Sequence, residues 1–146
     1  MAPFRVEGGP LGDFCESLRD LVGHVLMWDE IALAVLSEAH RDRWHWSLTP
    51  VWEAEGAGRS LNRAGVAAAR ELPVPLLLQR FSAVSQALLG ELDLYTDGQW
   101  AAPLPSKSGP VGTLGSLMQY VMTVPNVAPF WHVAVHLNQV AEVSRA

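Results

Sequence analysis

One cysteine, Cys15, is all that the 146 residues contain, so no disulfide closes within the chain and a fold stapled by bridges is excluded. No apolar run approaches the roughly 18 to 20 residues needed to cross a bilayer. Residues 1–14 lack the basic start and apolar stretch of a signal peptide, and the expected location is the cytoplasm, without a membrane partner. Lysine and arginine form no cluster and the formal net charge is −5, which argues against a phosphate-tracking surface and hence against nucleic acid as a partner. Alternation of period two never lasts, so strands are not expected. What is abundant is apolar: 49% hydrophobic residues are enough for one domain, residues 1–146, with a substantial core.

Helical spacing takes the place of the missing strand pattern. Leu18, Leu21, Val22, Val25, Trp28, Ala32, Val35 and Leu36 recur at steps of three and four, which predicts a first helix from about Gly12 to about His40. Pro50, Gly56 and Gly58 break the period, and residues 41–59, with His45, Trp44, Trp46 and Trp52, read as a long loop of the lid or binding kind. Ser60 is the expected N-cap of a short helix that Pro73 and Pro75 end. Leu77, Phe81, Val84, Leu88 and Leu92 mark a second long helix from Leu76 to about Leu94. Residues 96–112 form a second loop rich in proline and glycine, Thr113 caps a short helix interrupted by Pro125, and a last helix runs from about Val127 to Ser144. The sum is an all-α bundle, an architecture that builds metal and cofactor sites from side chains on facing helices.

Three histidines carry the chemistry. His132 and His136 are four residues apart on the last helix, a spacing that turns a side chain by about 40° and lifts it about 6 Å, so both imidazoles can reach one ion. His24, in line with Trp28 and Ile31 on the first helix, can supply a third imidazole and leave a coordination position open for water or substrate. Neutral imidazoles suit zinc, nickel, iron or copper. Gln139, one turn beyond His136, can orient a ligand or a bound water.

These segments resemble the DinB-like four-helix bundles. The stretch Ser17-Leu18-Arg19-Asp20-Leu21-Val22-Gly23-His24 through Trp28-Asp29-Glu30 looks like the helix that bears the first metal-binding histidine of that superfamily. His132-Val133-Ala134-Val135-His136, followed by Gln139-Val140, looks like its last helix. Trp52-Glu53, Gly58-Arg59-Ser60-Leu61-Asn62-Arg63 and Leu89-Gly90-Glu91-Leu92 are closer to the ClbS/DfsB branch. The resemblance implies mycothiol-dependent maleylpyruvate isomerases, thiol S-transferases and ClbS-like proteins that open a reactive electrophile as the range of activities. It implies a divalent metal held by a histidine triad, and a low-molecular-weight thiol as cosubstrate. Those bundles carry a long helix ahead of the first one read here. Only about eleven residues stand there, so the N-terminal region is read as shortened, with a homodimer or the short helices closing the bundle.

Each feature also has a plain structural reading. Trp28 at helical spacing from His24 fits a core position as well as a substrate contact, whereas Trp44, Trp46 and Trp52 lie on no regular element and are candidates to line a pocket. Asp29 and Glu30 read as solvated or ion-paired carboxylates, with Asp29 also a candidate proton acceptor. Arg63, with Glu53, Glu55 and Arg59, can anchor a polar substrate group or simply face water. His40 and His45 read as solvent-facing, and Cys15 as buried or inert. The favoured activity is metal-dependent activation of a thiol or water for attack on a small electrophile. A metal-free ClbS-like hydrolase or isomerase, and a non-catalytic protein that binds a small molecule, use the same residues differently.

Overall fold

The computed structural model describes residues 15–41, 43, 57–103 and 113–116. The chain is all-α: α1 (Leu18–Ala39), α2 (Ala57–Glu71), α3 (Val74–Leu92) and the short α4 (Asp97–Ala101) follow one another. An isolated bridge between Pro103 and Thr113 is the one β-type pairing among the described residues.

Local chemistry explains where the helices start. Ser17, in extended backbone, places its hydroxyl 3.2 Å from the Asp20 N–H and caps α1, so this helix begins at Leu18, later than the apolar period suggests. α2 begins at Ala57, ahead of Ser60, and includes Gly58 in its first turn. Pro75 does not end a helix but stands in the first turn of α3, where its missing N–H has no intrahelical partner to lose. The stretch read as a loop from residue 96 contains α4. Its start is a capping box, in which the Thr96 hydroxyl accepts from the Gln99 N–H at 3.3 Å while the Gln99 side chain accepts from the Thr96 N–H at 2.9 Å. Thr113 caps as expected, its hydroxyl accepting from the Ser116 N–H at 3.1 Å. The last helix read from the sequence lies outside the described residues.

α1 is the central helix, packed against both α2 and α3. Arg19, in its first turn, reaches the carbonyls at the end of α2, and Trp28, farther along, reaches Asn62 nearer the start of α2, so the two helices are antiparallel. Along α3 the pairs Glu30–Arg80 and His40–Glu91 advance together, so α1 and α3 are parallel. Two glycines set the α1–α2 distance. A Cβ on Gly23 would stand 2.2 Å from the Ala69 Cβ, and one on Gly65 would stand 2.8 Å from the Met27 Cβ, so only glycine permits this approach. Arg19 donates to the Ala69 carbonyl at 3.1 Å, to that of Arg70 at 2.8 Å and to that of Leu72, covering acceptors that the end of α2 would otherwise leave open.

The core follows from this arrangement. Leu26, Ala69 and Leu77 join the three long helices, with Phe81 and Val84 alongside. Ile31, Ala32, Val35 and Leu36 meet Leu88 and Leu114 at the other end of α1. There the Tyr95 hydroxyl donates to the Leu36 carbonyl at 2.6 Å and ties the α3–α4 connection to the end of α1. No described helix is long and apolar enough to cross a membrane.

Candidate functional site

His24 is 4% exposed, one position beyond the glycine where α2 touches α1 and one turn ahead of Trp28. Helical spacing brings it to this face, and the α1–α2 contact closes over the segment. Trp28 is half-buried, packs on the Ile31–Leu36 cluster, and donates its indole N–H to the Asn62 side-chain oxygen at 2.8 Å. The ring is therefore pinned at one edge by α2. Asn62, which holds this candidate residue, stands out in the sequence only as part of the stretch Gly58–Arg63. A polar residue four before Val66 on an apolar-facing stripe is the signal that could have singled it out.

Gly23 and the charge cluster beside it fix the helix that carries His24. The Arg70 guanidinium donates to both oxygens of Asp20, at 2.8 and 2.7 Å, and the Glu16 N–H adds a third bond at 2.8 Å. Arg70 first, opposed by burial and then aided by the Glu16 N–H, holds the Asp20 carboxyl below the usual carboxylate range. Asp20 is 1% exposed, so this is a buried anion satisfied from three directions. Cys15 nearby is buried, and burial, helped by the Asp20 charge, pushes its thiol up to about 12. At neutral pH it is a thiol and no nucleophile.

Asp29 corrects the reading of a solvated or ion-paired carboxylate. It is 7% exposed and no described residue hydrogen-bonds to it, because α1 is buried on nearly every side and leaves no wet face at this position. Burial first, then the adjacent Glu30 charge, raises its carboxyl to about 6. Five residues beyond His24, it stands about 140° round the helix, so the two do not share a stripe. Glu30 does pair, accepting from Arg80 at 2.6 Å. Arg59 and Arg63 lie on the exposed side of α2. His40 is exposed, as read from the sequence, with one face of its ring stacked on Tyr95 at a centroid distance of 4.1 Å.

A groove of about 220 Å³ runs between α2 and α3, with Gly23, Met27, Ala68, Leu72 and Arg80 among its walls. His24 and Trp28 do not line it. His132, His136, Gln139, Trp44, Trp46, Trp52, His45, Glu53 and Glu55 lie outside the described residues, so His24 alone of the histidine triad, and Trp28 alone of the four clustered tryptophans, is placed. What is placed fits a borderline divalent ion in its donor chemistry, since a buried imidazole is a nitrogen ligand of the kind such ions take.

Residues 17–124 match the family model described as the mycothiol maleylpyruvate isomerase N-terminal domain. The matched stretch contains α1 to α4, with His24, Trp28 and Asn62, and ends ahead of His132 and His136. No curated protein and no solved structure gives a match.

Proposed function

Since the chain belongs to the family of mycothiol maleylpyruvate isomerase N-terminal domains, a DinB-like domain family, we propose that it is an enzyme joining a low-molecular-weight thiol, or water, to a small electrophilic metabolite. The observation that carries this reading is His24: a buried imidazole on the central helix, inside the matched stretch, beside a tryptophan held by a second helix.

His24, with His132 and His136, would hold a divalent ion such as zinc, nickel or iron. Such an ion, when bound, lowers the pKa of a coordinated thiol or water and so supplies a nucleophile at neutral pH. The protein's own residues bind, orient and exclude water. Burial holds His24 in place, and a metal ligand must present a neutral imidazole. Trp28, held by Asn62, supplies one rigid apolar wall, and Trp44, Trp46 and Trp52 are assigned to the others. Arg63 anchors a polar group of the substrate at the rim, and Gln139 orients the nucleophile. Asp29, with a carboxyl near 6, exchanges protons around neutral pH from its own side of α1.

The test is elemental analysis of untagged protein alongside the His24→Ala and His136→Ala variants, followed by thiol consumption with maleylpyruvate-like and epoxide electrophiles. Near-stoichiometric divalent metal that is lost in both variants, together with activity, is the expected result. Turnover that resists chelators and survives His136→Ala would replace this reading with the metal-free hydrolase or isomerase. Saturable tryptophan quenching without product would replace it with the binding protein.

A further inference from the structure

α3 carries a stripe that the core does not use. Leu77, Phe81, Val84 and Leu88 turn inwards, whereas Leu76, Arg80, Ala83, Ala87, Gly90 and Leu94 follow one another at steps of four and three along the flank. All six are exposed, Leu76 at 48% and Leu94 at 62%. Leu94 keeps the helical phase because the C-cap Asp93 is itself in right-handed helical backbone. The stripe is about 27 Å long, with a leucine at each end and small residues between. Nothing among the described residues requires Gly90. Glycine inside a helix costs about 1 kcal/mol against alanine. At Gly23 and Gly65 a close approach of two helices explains it, but a Cβ on Gly90 would meet no described atom within 4 Å. α3 also holds a single base and a single acid, Arg80 and Glu91, towards its opposite ends. Arg80 gives its Nε to Glu30 at 2.6 Å, which leaves its terminal nitrogens for a second carboxylate. It is at the same time a wall of the groove of about 220 Å³ between α2 and α3, whose other wall includes the exposed Ala64 and Ala68.

We propose that this flank of α3 is the docking surface for a second copy of the chain, the two α3 helices lying antiparallel across a two-fold axis. The stripe is complementary to itself in that register. Leu76 lies on the partner's Leu94, Ala83 on the partner's Ala87, and Arg80 over the partner's Gly90, each contact made twice by symmetry. The alanines next to the axis let the helices approach to about 8 Å. Gly90 leaves the space through which the partner's Arg80 reaches Glu91, so each α3 meets an opposite charge at both ends. Parallel pairing would set Arg80 against Arg80 and Glu91 against Glu91, so charge selects the antiparallel arrangement. The second helix also covers the groove that Arg80 borders. None of these six residues is a candidate ligand or substrate contact, so the dimer and the proposed metal centre stand or fall separately.

Sedimentation equilibrium of the full chain tests this, with circular dichroism to show that each variant is folded. Wild type should sediment at twice the chain mass at micromolar concentration. Ala83→Glu, a charge placed at the closest contact, should weaken association at least tenfold with helix content unchanged. Ser82→Glu, about 100° round the same helix, should leave it as in wild type. Arg80→Glu and Glu91→Arg each bring like charges together and should be monomers on their own. Mixed in equal amounts they should restore a dimer with one copy of each, because both opposite-charge pairs re-form between them. A wild type that stays monomeric at high micromolar concentration would overturn the proposal, as would a dimer indifferent to Ala83→Glu or a mixture of the two charge variants that does not associate. A monomeric wild type whose melting temperature falls with Ala83→Glu would overturn it too, and would show that another segment of the same chain lies on this flank.

Discussion

Replacing Gly23 with alanine isolates the contact on which the fold turns. Helix propensity alone favours the change by about 1 kcal/mol, since glycine within a helix is that much worse than alanine. The tertiary structure reverses the sign. The new methyl would lie 2.2 Å from the Ala69 Cβ, whereas two methyl carbons rest about 3.5 to 4.0 Å apart, so α2 must move away by about 1.5 Å. Neither atom belongs to a flexible side chain that can swing aside. The displacement also stretches the Arg70–Asp20 pair and the Arg19 bonds to the end of α2, within a turn or so of the contact. Overpacking costs about 1 to 3 kcal/mol and a weakened charge-assisted bond about 1.5 more, so after the propensity gain the net loss is about 1.5 to 3.5 kcal/mol. Thermal unfolding by circular dichroism should show a melting temperature lower by roughly 6 to 12 °C.

A second substitution tests the cause. In Gly23→Ala/Ala69→Gly the nearest remaining atoms to the new methyl are the Gly65 carbonyl oxygen at 3.3 Å and the Ala69 Cα at 3.7 Å, which small adjustments accommodate. Ala69→Gly alone should cost about 2 kcal/mol, from helix propensity and the loss of a buried methyl. The double variant should lie within about 1 kcal/mol of wild type, a favourable coupling of at least about 2 kcal/mol. A Gly23→Ala protein as stable as wild type, or a double variant less stable than either single one, would refute the close-approach argument.

Three further outcomes follow from the charged and polar groups. Asp29 has a carboxyl raised to about 6 against an unfolded value near 3.9, so the folded protein binds the extra proton between those values and stability should rise as pH falls from about 6 towards 4. Asp29→Asn should add about 1 to 3 kcal/mol at pH 7 and flatten that rise in urea titrations; an unchanged pH profile would show the carboxylate to be solvated. Asp20 has the opposite sign: its lowered carboxyl stabilises the fold fully above about 3.9, and that contribution is lost as acid carries the pH down through the folded value, so Asp20→Asn should cost about 1 to 3 kcal/mol at pH 7 and reduce the acid sensitivity. Asn62→Ala should cost about 1 kcal/mol and alter tryptophan emission by releasing one partner of the Trp28 indole; emission identical to wild type would show that the ring does not depend on Asn62.

The sequence by itself determined the class of the fold and the helix on which His24 stands. The recurrence of Leu21, Val25, Trp28, Ala32 and Val35 at helical steps marks α1 because a helix buries only residues that return to the same face. The same periodicity put His24 on a buried stripe, and the motif around it led to the right superfamily. Boundaries were less legible. α4 went unseen because five residues carry no apolar period, although Thr96 and Gln99 spell out its capping box. Pro75 reads equally well as a stop or as a first-turn residue until the neighbouring turn is known.

Only the tertiary structure decided what each face meets. Periodicity says that a residue is turned inwards, but not against which atom, and the partners here come from 34 to 59 positions away: Asn62 for Trp28, Arg70 for Asp20, Tyr95 for Leu36. That is why Asp29, adjacent to a well-paired Glu30, is buried with no described hydrogen-bond partner while Glu30 finds Arg80. It is also why Gly23, an unfavourable choice by local propensity, is the residue that lets two helices touch. Local chain chemistry acts within a few residues and is written in order along the sequence. Burial, desolvation and the meeting of His40 with Glu91 depend on distances that exist only once the helices have packed.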